Sequence, residues 1–145
     1  MVVTFIPTYQ GKHDPDANDS AKGTRGWTIA HIVVHATASA EEYAVLAAEL
    51  ARGVSHHGRS RSEVPWQTVT TMAQCRARLL ESRRIRLASL HLWPDSPRLD
   101  LGYEAWEGLG WVNAKSSFVW GLAHEEEYAW QVRQTLIQAQ ATMLR

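Results

Sequence analysis

Trp27-Thr28-Ile29-Ala30-His31-Ile32-Val33-Val34-His35-Ala36-Thr37-Ala38-Ser39 is the stretch on which the reading of the whole chain turns. Residues Ile29 to Ala36 form a short apolar run, rich in β-branched side chains and bounded upstream by Gly26, which predicts a buried strand. Ser39 and Glu42 have the S-x-x-E spacing of a capping box, so a helix is expected to open there. A strand emptying directly into a helix leaves first-turn N–H groups facing the strand end, where anions are held. His35 and Thr37 lie at that corner.

Working outward, Ala40 to Arg52 carries Tyr43, Leu46, Ala47 and Leu50 at helical spacing, with Gly53 at the expected stop. Glu63 to Thr70 predicts a second strand, and Thr71 with Gln74 repeats the capping-box spacing to open a helix through about Ser82. Ile85 to Trp93 predicts a third strand, stopped by Pro94 and Pro97. Strand, helix, strand, helix, strand with short joins implies an α/β fold with a small three-stranded parallel βαβαβ core. Aromatic residues and glycines alternate from Leu99 to Gly121, which predicts added antiparallel hairpins. A long C-terminal helix is expected over His124 to Arg145, where Ala129, Val132, Leu136, Ala139 and Met143 form a stripe that could also carry a homodimer. Residues 1–10 suggest an edge strand interrupted by Pro7. The polar run Gly11 to Gly26 predicts a mobile loop, in which Asp14, Asp16 and Asn18 match only the start of a calcium loop.

The totals describe one globular domain over residues 1–145. No apolar run is long enough for a membrane span, and the amino terminus lacks the pattern of a signal peptide, so a cytoplasmic location is expected. Cys75 has no partner cysteine and is expected to serve packing. The formal net charge is zero, but eight arginines between Arg52 and Arg86 face only Glu63 and Glu81, while Asp100 to Glu127 is acidic. Such asymmetry marks either a contact surface for nucleic acid or protein, or two solvated faces that pair with each other.

Chemistry rests on the seven histidines. On a strand, His31 and His35 would lie about 13 Å apart, too far to share one zinc; a metal would need one of them joined by His56, His57 or His91, and neither a bound metal nor another cofactor is expected. Ile32-Val33-Val34-His35 resembles the first metal-bearing strand of zinc-dependent peptidoglycan amidases, whose later ligands have no counterpart here. His35-Ala36-Thr37 resembles the H-x-T triplet of the two-histidine phosphoesterases. His91-Leu92-Trp93 stands for the second triplet, with tryptophan in place of the hydroxyl residue. That resemblance implies one histidine as base and the other as acid about a phosphate.

In a parallel sheet His35 and His91 would both emerge at carboxyl strand ends, with Thr37, Ser39, Asp95 and Ser96 available to hold phosphate. Two functions follow as expectations. One is a phosphate-directed enzyme acting on a nucleotide or nucleic acid through His35 and His91. The other is a non-enzymatic binding protein, such as an inhibitor, immunity or accessory factor, meeting protein or nucleic acid through an Arg-rich and aromatic surface. His56, His57, Arg59 and Arg61 form a candidate second contact, placed by a parallel unit at the far edge of the sheet from His35.

Overall fold

In the computed structural model, which describes residues 2–8, 26–105, 107–108 and 110–145, the run that begins at Ile29 is a helix. α1 spans Ile29–Ala51, α2 Met72–Leu90 and α3 Ala114–Met143. The only sheet among the described residues is an antiparallel pair, β1 (Gly102–Glu104) with β2 (Trp111–Asn113), in which Tyr103 faces Val112. The expected three-stranded parallel core is therefore absent, and the α/β class gives way to a mostly helical one. Ile29 to Ala36 forms the first two turns of α1, Glu63 to Thr70 is an irregular segment around a 3-10 turn at Trp66–Thr68, and Ile85 to Trp93 supplies the last turns of α2 and its exit. Where an edge strand is expected over residues 1–10, the described residues 2–8 hold a 3-10 turn at Val2–Thr4. The loop and the partial calcium pattern expected before Gly26 lie outside the described residues.

The helix boundaries have local causes. Thr28 is the N-cap of α1, its hydroxyl accepting from the His31 N–H at 3.2 Å, so the helix opens eleven residues before Ser39. At the far end Gly53 adopts φ +90, a conformation that favours glycine, and its N–H donates to the Leu50 carbonyl. The capping box of Thr71 and Gln74 opens α2 as its spacing predicts. Asn113 and Ser116 form another that starts α3 ten residues before His124.

α1 is the centre of the molecule, and nearly every residue from Ile29 to Ala51 is buried. Its alanines admit close neighbours. α2 lays Cys75, Ser82 and Ser89 inward, a seven-residue repeat of small side chains that brings the backbones together. Cys75 packs among Ile29, Ala30 and Val33, and Arg78 reaches Thr37 and Glu41, so α2 advances in the same direction as α1. α3 runs against both. Its Ser117 hydroxyl donates to the Tyr43 carbonyl, while Tyr128 packs on Ile32 and Ala36. The Val132, Leu136 and Ala139 part of the stripe expected to mediate a homodimer is turned into the bundle, where Val132 and Leu136 pack against the first core cluster and Ala139 is buried.

Two parallel helices need a long return, and residues 52–71 supply it by running back along α1. No described helix is long and apolar enough to cross a membrane.

Gly121 sits where α3 crosses α1: a Cβ there would lie 2.9 Å from the Tyr43 Cβ. Gly121→Val is expected to force the helices apart and cost about 1–3 kcal/mol, read as a lower midpoint in urea unfolding with helical content retained.

Candidate functional site

A buried helix must satisfy its polar side chains inside the protein. His31, His35, Ser39, Glu42 and Glu49 fall at intervals of three, four or seven residues and so share one face of α1. The return segment covers that face with matching partners. His57 Nε2 meets Glu49 at 2.9 Å, Arg59 Nε donates to the buried Glu42 carboxylate at 3.0 Å, and Trp66 stacks on the His31 ring with centroids 5.0 Å apart. Between these, Arg61 makes the densest set of contacts. It donates to Ser39 Oγ at 2.5 Å, to His35 Nδ1 at 2.8 Å, to the His35 carbonyl at 3.1 Å and to Glu63 at 2.6 Å.

The geometry fixes the protonation of His35. A guanidinium only donates, so the Nδ1 that receives it carries a lone pair and the ring is neutral with its proton on Nε2. Burial, with Arg61, His124, His31 and Arg59 around it, pulls the His35 pKa from its ordinary 6.5 down to about 3. The ring is 4 % exposed and lies edge-on to Trp27 and Tyr128, at 4.8 and 5.1 Å. On the other side of α1 the Thr37 hydroxyl donates to the Val33 carbonyl at 2.7 Å and accepts from Arg78 Nε at 3.3 Å, while Arg78 also pairs with Glu41.

His91 stands elsewhere. It is the exposed C-cap of α2, thirteen residues beyond the Arg78 that marks the level of Thr37, or about 20 Å along the helix axis at 1.5 Å per residue. Asp95 and Ser96 are exposed on the chain leaving α2, near His91 in sequence and remote from His35. The two imidazoles proposed as an acid and base pair are thus not brought together, and the phosphate ligands expected around them are divided between a buried helix and a distant turn. Arg59 and Arg61, expected at the opposite edge from His35, are the residues that do meet its face. His56 lies with them on the return segment, but stacks on Tyr103 of the hairpin at 4.1 Å. The helical setting also changes the metal argument, since His31 and His35 are one turn apart. Among the described residues no three His, Cys, Asp or Glu side chains converge as metal ligands.

Away from this face, α2 and α3 diverge over α1 and leave a groove of about 520 Å³. Ile32, Val33 and Ala36 are its floor, Cys75 and Leu79 one wall and Val132 part of the other. An ion pair of Arg86 with Glu125 at 2.7 Å links the two helices at its side. Burial raises the pKa of the Cys75 thiol, so this cysteine serves packing. Sequence reasoning missed the groove because it depends on the angle between two helices. Comparison with protein-family models, characterised proteins and solved structures found no match.

Arg61→Ala is expected to lower stability by about 2–3 kcal/mol, and Arg61→Lys to recover little, because an ammonium cannot span His35, Ser39 and Glu63 at once; chemical denaturation checks both. The depressed pKa of His35 has a defined sign: between pH 6.5 and about 3 the unfolded chain binds a proton that the folded chain refuses. The His35 contribution is therefore complete above pH 6.5 and is lost as pH falls through that window. His35→Gln, which keeps an acceptor for Arg61, is expected to flatten the decline when midpoints are measured at steps from pH 8 to 4.

Proposed function

We propose that this chain is a non-enzymatic, cytoplasmic binding module that engages an acidic amphipathic segment of a partner protein through the outer face of α2. One observation carries the reading. Arg76, Leu80, Arg83, Leu87 and Leu90 recur at 4-3-4-3 spacing along α2, on an exposed flank clear of the Cys75, Ser82 and Ser89 line that packs on α1, with Arg76 at the rim of the groove. Leu80 is 67 % exposed and Leu87 47 %, both on a helix whose inner face already has its core contacts. An apolar row interleaved with cations is the complement of a helix bearing apolar and carboxylate side chains.

This face lies within the segment whose arginine excess is evident in the sequence. Several other arginines of that excess are already engaged inside the molecule: Arg59, Arg61, Arg78 and Arg86 each pair with a glutamate. Leucines argue for protein over nucleic acid, because nucleic-acid interfaces are polar and dominated by phosphate contacts. A neutral, buried His35 and an exposed His91 far from it favour binding over acid–base turnover. The free thiol of Cys75 in the core suits a reducing compartment. Self-association through α3, another partner expected from the sequence, leaves the outer face of α2 open.

A fluorescent helical peptide with leucine and glutamate on one face provides the probe, followed by anisotropy at low and moderate salt. Binding is expected to weaken as salt rises, and to fall at least tenfold both in Arg76→Glu/Arg83→Glu and in Leu80→Ser/Leu87→Ser. Binding of a single-stranded or duplex oligonucleotide that survives the leucine changes and fails with the arginine changes would overturn the protein-partner assignment. Phosphodiester turnover abolished by His35→Ala or His91→Ala would overturn the non-enzymatic one.

A further inference from the structure

α3 carries a second unpartnered face, and its pattern is self-complementary. Tyr128, Thr135 and Ala139 point into the bundle. On the opposite side Val119, Leu122, Glu126, Trp130, Arg133 and Ile137 follow one another at intervals of three or four residues. All are exposed, with Trp130 at 48 % and Ile137 at 57 %, more than isolated surface apolar residues require. Neither Glu126 nor Arg133 forms an ion pair among the described residues, although both stand beside apolar neighbours.

We infer that this face binds a second copy of the chain, with the two α3 helices antiparallel about a two-fold axis between Ala129 and Trp130. That axis sets Leu122 of each copy against Ile137 of the other. It also sets Glu126 against Arg133, and by symmetry does so twice. At the centre the large Trp130 of one copy meets the small Ala129 of the other, so bulk faces a gap. A two-fold interface must be its own complement, a condition few helix faces meet in both charge and size. A parallel pairing in register would instead place each charge against its like and each tryptophan against its twin.

The charge pattern selects a second copy over another partner. An external acidic helix would meet Glu126 unfavourably, and an external basic one would meet Arg133 in the same way. The matched stripe from Leu122 to Ile137 runs about 22 Å at helical rise, long enough for several layers of contact. It shares no residue with the outer row of α2, so the dimer does not depend on the peptide-binding assignment.

The test is the mass in solution by light scattering or sedimentation over a hundredfold dilution, with circular dichroism to confirm folding. Twice the 16.3 kDa chain mass is expected for the natural sequence. Arg133→Glu sets two carboxylates against each other at each symmetric position and is expected to yield monomer, as is Glu126→Arg, and the double exchange Glu126→Arg/Arg133→Glu is expected to restore the dimer. Trp130→Ser supplies an arm independent of charge and is also expected to give monomer. The inference is overturned by a monomeric natural chain at the highest concentration, by single exchanges or Trp130→Ser that leave the mass doubled, or by a double exchange that stays monomeric. Leu80→Ser/Leu87→Ser is expected to keep the doubled mass; loss of the dimer there would move the interface to α2 and overturn the assignment to α3.

Discussion

The structure depends on the Arg61 guanidinium held against the polar face of α1. A helix enclosed on all sides cannot leave a histidine, a serine and a carboxylate without partners, because each orphaned group would cost about 1–3 kcal/mol. Arg61 engages His35, Ser39 and Glu63 at once, Arg59 covers Glu42, and Trp66 lies on His31. These contacts hold residues 52–71 along α1, and that return path allows α2 to run parallel to α1. The parallel arrangement then sets the crossing with α3 that leaves the groove between them.

The same constraint separates structural charge from charge that faces outward. Inward arginines pair with glutamates and stabilise the bundle, whereas Arg76 and Arg83 alternate with leucines on the outside of α2. Histidine is divided in the same way. His35 is locked neutral by a donor that cannot accept its proton, while His91 stands in solvent at a helix end. Two helix faces stay turned outward, one with Arg76 and Arg83 among leucines on α2, the other with Val119, Leu122, Trp130 and Ile137 on α3.

Sequence reading failed first at the run from Ile29 to Ala36, for a physical reason. An amphipathic period arises when one side of a helix meets water, and α1 meets almost none, so its apolar residues recur without a gap and imitate a buried strand. The signals for a helix were present in Thr28 as an N-cap and in His31, His35, Ser39 and Glu42 on one helical face. They were outweighed by the β-branched triplet Ile32, Val33 and Val34. The mistake propagated, because one false strand invites a parallel unit and turns the end of α2 into another. It also set His31 and His35 far apart as strand neighbours, when they are one turn apart on a helix.

The amino-acid sequence by itself determined what depends on a few adjacent residues: the capping box at Thr71 and Gln74, the stop at Gly53, the antiparallel hairpin beyond Leu99, and the excess of arginine in the middle of the chain. Only the tertiary structure decided that Arg61 meets His35 across 26 positions, that His91 stands away from both, and that Val132 and Leu136 serve the core while Trp130 and Ile137 remain outside. Caps and turns are short-range hydrogen bonds whose partners are near in sequence. The pairing of a buried polar face with a distant segment depends on how three helices enclose one another, and local spacing does not encode that.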